Sequence, residues 1–257
     1  MLISDLSLVR AAHIILASAS PRRSSILNEQ FNLNARVVPS TFSENLDKSS
    51  YTPQEYVKET ARQKALEVFE RCKKPFQEMH ERPPCLIVGA DTVVVLDGEI
   101  LEKPSSTEDA RQMLQRLSDA GTHTVCTGVS LIYGGGVLDC EPFEHSFVEV
   151  TTVGFRDLEP MEIEAYVASG EPMDKAGAYG IQGLGGAFVT KIVGDYQNVV
   201  GFPAARFCTE LDRERIAAWV DAAPTEEAAP AAPATSEAGE IISDACLDED
   251  ECGLPSD

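Results

Sequence analysis

The stretch His13-Ile14-Ile15-Leu16-Ala17-Ser18-Ala19-Ser20-Pro21-Arg22-Arg23 runs from an apolar segment through a turn into a helix start. A short apolar run bounded by turn residues reads as a buried strand. Ser20 is a favoured N-cap and Pro21 is preset for the first helical position, which predicts a helix running from Pro21 towards Asn28. A strand, a tight turn and a helix N-terminus leave backbone N–H groups unpaired, with the positive end of the helix dipole behind them. The hydroxyls of Ser18 and Ser20 and the guanidinium groups of Arg22 and Arg23 lie at the same place, so a polyphosphate is the expected occupant. The plainer alternative makes Ser20-Pro21 a cap and the arginines solvated charge. Placement directly after a buried strand favours the functional reading. The glycine-rich lysine loop of P-loop enzymes is absent from the chain.

The 257 residues suffice for a large core. A net charge of −21 argues against nucleic acid or an anionic membrane as partner. Ten of the acidic side chains fall in residues 222–257, which contain no Lys or Arg, leaving −11 for residues 1–221. Arg22 and Arg23 would thus form a positive island on an acidic body. The seven cysteines show no CxxC spacing and no signal peptide precedes them, so they read as reduced thiols in a cytoplasmic protein. No apolar run has the length of a membrane span. Residues 10–221 read as one folded domain, and 222–257, rich in Ala, Pro and acid, as a disordered tail.

Ala35–Pro39 reads as a second strand, and the loop after it contains Glu44, by itself most simply a solvated charge. Thr52-Pro53-Gln54-Glu55 is a capping box opening a helix whose apolar stripe includes Lys64, placed to snorkel to its edge or to reach a phosphate. Residues 71–85, with prolines at 75, 83 and 84, read as a surface loop. In the apolar, β-branched run Leu86–Leu96 only Asp91 is acidic. Two readings stand: a strand end at which the carboxylate bonds its own turn, or an active-site acid. Gly89 beside it admits close approach of a ligand or another backbone. Asp97-Gly98 signals a type I′ hairpin that returns Glu102-Lys103-Pro104 towards Asp91.

Antiparallel strands follow over His123–Tyr133 and His145–Val153, with both histidines structural, then a helix over 157–169. Residues 177–186 include five glycines and Gln182, whose amide suits a base edge. A loop packed for its own sake explains this stretch equally well. A strand over Ala187–Val193 and a last helix from Pro203 to near Val220 complete the reading.

Together Ser18–Arg23, Ser43-Glu44, Ala61–Ala65, Gly89-Ala90-Asp91-Thr92, Glu102-Lys103-Pro104, Lys175–Gly183 and Gly194–Pro203 resemble the Maf family of nucleoside triphosphate pyrophosphatases, over about residues 13–212. The resemblance implies an α/β fold, an elongated mixed sheet in two lobes with helices around it, akin to the inosine-triphosphate pyrophosphatases, with the active site between the lobes. It implies hydrolysis of a nucleoside triphosphate to monophosphate and pyrophosphate with Mg²⁺ or Mn²⁺. Asp91 matches the catalytic aspartate. Ser18, Ser20, Arg22, Lys64 and Lys103 would grip phosphates, and Glu44 with Asp91 would serve the metal. Arg23, Thr92 and Gln182 match positions that set base choice in the branch acting on dTTP and UTP. A homodimer is also implied. The competing functions are a nucleotide-binding regulator of cell division, which the tail could serve, and a 7-methyl-GTP pyrophosphatase.

Overall fold

The structure is a computed structural model that describes residues 9–10, 12–78, 84–135 and 142–211. Its frame is a seven-stranded mixed sheet. In chain order the strands are β1 (His13–Leu16), β2 (Arg36–Val37), β3 (Pro84–Leu96), β4 (Glu99–Leu101), β5 (Thr122–Gly135), β6 (Phe143–Phe155) and β7 (Val189–Val193). The sheet runs β2-β1-β3-β5-β6-β7, with β4 paired to β3. β1 is parallel to both β2 and β3, and the remaining pairs are antiparallel.

The helices are α1 (Pro21–Ser25), α2 (Pro53–Glu78), α3 (Thr107–Ala120), α4 (Pro160–Ala168), α5 (Tyr196–Val200) and α6 (Ala204–Glu210). Helix α2 begins at the expected capping box: the Thr52 N–H donates to the Glu55 carboxylate at 2.9 Å and the Glu55 N–H to the Thr52 hydroxyl at 3.3 Å. It lies across one face of β3 and β5, so close that only glycine fits beneath it. A Cβ on Gly89 would stand 2.2 Å from the Ala61 carbonyl oxygen, and one on Gly128 would stand 2.3 Å from that of Val57. The close approach anticipated at Gly89 is thus that of a helix backbone.

The opposite face of the sheet carries two separate apolar cores, one for each lobe. Leu16, Leu27, Leu86, Val129, Phe202 and Phe207 belong to the first, beside α1 and α6. Val94, Leu114, Val125, Phe155 and Tyr166 belong to the second, beside α3 and α4. On the α2 side, Val68, Cys72 and Ile87 pack at one end and Tyr56, Val57 and Val93 at the other, so α2 spans both lobes. The elongated two-lobed sheet is therefore present.

Several local expectations are corrected. Of the loop expected over 71–85, residues 71–78 are the last turns of α2, reaching Glu78, and 84–85 open β3, while 79–83 lie outside the described residues. Burial of Val68 and Cys72 against β1 and β3 holds the helix past the point where Pro75 would stop an isolated one. The first helix ends at Ser25 and continues as a π-turn over Ile26–Gln30, and Ser20 occupies the N-cap without a side-chain cap bond. The second strand shrinks to Arg36–Val37 at the sheet edge, and the strand expected from Ala187 begins at Val189, Ala187 and Phe188 closing a 3₁₀ turn. The helix read over 157–169 occupies Pro160–Ala168. The last helix spans Ala204–Glu210; the rest of its expected span towards Val220 and the tail 222–257 lie outside the described residues. The hairpin stands as expected, with φ of 51° at Asp97 and 84° at Gly98. Among the described residues no helix is long and apolar enough to cross a membrane.

Candidate active site

β1 pairs with β3 only over Cys85–Val88, and β4 pairs with it only over Val94–Leu96. Between them the edge of β3 from Gly89 to Val93 has no neighbouring strand, and a cleft of about 810 Å³ opens there. Side chains alternate along a strand, so Asp91 points towards α2 while Thr92 points to the other face. The missing neighbour gives one cleft access to both. Asp91 is thus in the middle of a 13-residue strand, not at a strand end as one sequence reading had it.

Ser18, Ser20, Arg22, Arg23, Glu44, Lys64, Asp91, Thr92, Lys103 and Gln182 all line this cleft. Its centre is the Lys64 ammonium, buried on α2, which donates to Asp91 Oδ1 at 2.8 Å and lies 2.9 Å from Glu44 Oε1. Opposite charges this close offset the desolvation of both Lys64 and Asp91. Lys64 therefore fills its place in an apolar stripe by pairing at the cleft rather than by reaching bulk water.

The two arginines differ. Arg23 is buried, and desolvation holds its pKa below the usual arginine value, opposed by the charges of Asp91 and Glu44. Its Nε donates to Gly201 O, its Nη1 to Ser18 Oγ and to Ala90 O, and its Nη2 to Thr92 Oγ1, each at 2.9 Å. The Ala90 carbonyl it meets belongs to the open edge of β3, so the guanidinium stands in for a missing strand. One N–H of Nη2 remains beyond these four bonds. Arg22 is half-exposed and reaches across the mouth to Asp174, with Nη1 at 3.1 Å from Oδ2. The positive island expected at Arg22 and Arg23 is thereby largely answered by protein groups.

The glycine-rich stretch is a strap of 3₁₀ turns, Glu171–Asp174, Ala176–Ala178 and Leu184–Phe188. It is fixed by the Glu171 carboxylate, which accepts from the N–H groups of Leu184 and Gly185 and from the Tyr166 hydroxyl. The Gly177 N–H donates to Glu102 O at 3.0 Å, which joins the strap to the hairpin return. Gln182 and Lys103 are exposed at the rim.

Sequence reasoning missed three carboxylates in the cleft: Glu171, which fixes the strap, and Asp174 and Glu102. Asp174 precedes Lys175-Ala176-Gly177 and holds Arg22; Glu102 precedes Lys103 and accepts from the Tyr56 hydroxyl at 2.7 Å and Lys48 at 2.6 Å. Glu102 stands within a motif already singled out, next to Lys103, and Asp174 directly precedes another. His123 is structural as expected: its Nε2 lies 2.9 Å from the Tyr179 hydroxyl, and burial lowers its pKa to about 4.

Glu44, Asp91 and Glu102 bring hard carboxylate oxygens to one cleft, and such donors suit Mg²⁺ or Mn²⁺. Among the described residues no group of three His, Cys, Asp or Glu side chains is arranged to hold a metal alone. The residues fit an ion that takes one or two carboxylates and completes its shell with substrate phosphates, a common mode for Mg²⁺.

Residues 13–214 match the family described as Maf-like protein. The chain belongs to the Maf family. It is 45% identical over 202 residues to a dTTP/UTP pyrophosphatase of Clostridium perfringens, covering 77% of this chain and 95% of that one. It is 47% identical over 190 residues to a dTTP/UTP pyrophosphatase of Thermococcus kodakarensis, covering 74% and 90%. A human protein described as a probable bifunctional dTTP/UTP pyrophosphatase/methyltransferase is 47% identical over 206 residues. That match covers 77% of this chain and 31% of the human one.

Proposed function

We propose that this Maf protein is a nucleoside triphosphate pyrophosphatase that hydrolyses dTTP and UTP to the monophosphate and pyrophosphate. The observation that carries the chemistry is the Lys64 bridge between Asp91 and Glu44, set at the open edge of β3 and facing the Ser18–Arg23 turn. Membership of the family, with relatives of that name, supports the substrate class.

In this reading the triphosphate enters between the turn and the strap. Ser18, Ser20, Lys103 and Arg22 meet its oxygens, and Arg22 exchanges Asp174 for phosphate as it does so. A surface ion pair of this kind is worth about 0–1 kcal/mol, so the exchange is easy. Asp91 takes the proton of a water as that oxygen bonds to the α-phosphorus, while the bond to the α–β bridging oxygen breaks and pyrophosphate leaves. Lys64 holds the carboxylate in place and, with the other cations, offsets charge on the phosphoryl oxygens. A divalent cation held by Glu44 and Asp91 would add charge neutralisation on the phosphates. Arg23, Thr92 and Gln182 meet the base. The homodimer and the cytoplasmic location implied at the outset belong to the same proposal.

The test is product analysis over UTP, dTTP and 7-methyl-GTP with Mg²⁺ or Mn²⁺. Pyrophosphate and monophosphate from the two pyrimidine nucleotides are expected. Preference for 7-methyl-GTP would assign the other branch, and tight binding without turnover would favour the regulator.

A further inference from the structure

Between the two apolar cores runs a band of buried polar groups outside the catalytic cluster. Thr127, fully buried on β5, is the register partner of Thr92 and lies 2.9 Å from it, Oγ1 to Oγ1. Thr127 Oγ1 also reaches Asn198 O at 3.4 Å. Asn198, buried in α5, donates from Nδ2 to Val125 O and to Thr151 Oγ1, both at 3.0 Å, which ties α5 to the sheet. Its Oδ1 is buried without a partner among the described residues. An unsatisfied buried acceptor costs about 1–3 kcal/mol, so an apolar residue would serve packing alone better.

The band ends on cleft groups. The Gly201 N–H donates to Asn198 O at 3.0 Å, and Gly201 O accepts from Arg23 Nε at 2.9 Å and from Thr92 Oγ1 at 3.3 Å. The Thr92 hydroxyl has one proton and two protein acceptors: Thr127 Oγ1, away from the cleft, and Gly201 O, which already accepts from Arg23. Arg23 is a donor to it, so with the proton directed to Thr127 the cleft meets a Thr92 lone pair.

We propose that Thr127 and Asn198 are positioning residues for base selection: they hold the Thr92 hydroxyl and the Gly201 carbonyl so that Arg23 and Thr92 present a fixed donor and acceptor to a uracil or thymine ring. The ring N3–H of those bases suits an oxygen lone pair, and a ring carbonyl suits the remaining Arg23 N–H. This rests on the proposed pyrimidine triphosphate reading. Thr127 itself does not line the cleft.

The test compares wild type with Thr127→Val, close in shape but without the hydroxyl, and with Thr127→Ser, which keeps it. Thr127→Ala, which adds no atom, replaces the valine variant should that one not fold. KM for UTP and dTTP is expected to rise about tenfold in Thr127→Val with kcat near wild type, and Thr127→Ser should restore KM. The ratio of kcat/KM for UTP over 7-methyl-GTP should fall by the same factor. A purely structural threonine would alter the melting temperature or the active fraction and leave KM and that ratio unmoved, which would overturn the assignment. A loss confined to kcat would overturn it as well. Wild type that shows no preference for UTP and dTTP would overturn the pyrimidine reading along with it; a wild-type preference that survives in the valine or alanine variant overturns the positioning role alone.

Discussion

Lys64 and Asp91 are each nearly buried and lie 2.8 Å apart, whereas Arg22 and Asp174 face each other across the cleft mouth with side chains 29% and 61% exposed. The first pair sits in low dielectric, where each charge needs the other. The second is screened by water and has little net worth. Asp174→Asn should therefore free Arg22 for phosphate and lower KM for UTP by at most about fivefold, the equivalent of about 1 kcal/mol. Steady-state kinetics at low and high salt would show it, with the difference from wild type shrinking as salt rises. A rise in KM would mean that Asp174 orients Arg22 rather than competing for it. Individual residues were legible in the sequence where chemistry made them conspicuous. Asp91 stood alone in an apolar run, and Ser18 to Arg23 followed a strand. Asp174 and Glu102 were not, because a carboxylate beside a lysine in a loop looks solvated until its partner, Arg22 or Tyr56, is brought in from far along the chain.

Helix α2 is the element that unites the site, since it spans both lobes and places Lys64 against β3. It can do so because Gly89 and Gly128 leave room for its backbone. Gly128→Ala would put a methyl group 2.3 Å from the Val57 carbonyl oxygen, which must shift. Overpacking of this kind costs about 1–3 kcal/mol, so the melting temperature should fall by roughly 2–12 °C and activity should fall with it as Lys64 moves. Unchanged melting would show that α2 has slack over β5. The capping box and the apolar stripe made the start of α2 readable, but its end was not: Pro75 is a local stop signal, and what overrides it is packing with β1 and β3. The helix expected towards Asn28 does reach that far, but nothing in Ile26–Gln30 announces that it changes to a π-turn after Ser25.

Over the whole molecule, a single sheet carries two cores on one face, and its long central strands β3 and β5 belong to both. The near-continuous apolar, β-branched run Leu86–Leu96 made β3 legible as a central strand. The open edge at Gly89–Val93, where the cleft forms, depends on how short β1 and β4 are and was not readable locally. In the second core His123 is buried against Phe155 and Tyr179, and burial lowers its pKa from 6.5 to about 4. The unfolded chain takes up a proton below pH 6.5 that the folded chain refuses until about pH 4. Stability from this group is therefore full above pH 6.5 and is lost as pH falls towards 4, by about 3 kcal/mol in all. Thermal melts across that window should show the loss, and His123→Gln should flatten it; an equal slope in the variant would assign the effect to other groups. The most direct measurement on the proposed chemistry is pyrophosphate release from UTP by wild type and Asp91→Asn, both checked for folding. Loss of about 10²–10⁴-fold in kcat with the fold intact is predicted for a carboxylate that takes the proton of water. Equal turnover by the two proteins would contradict the role of Asp91 and move the reacting centre elsewhere in the cleft.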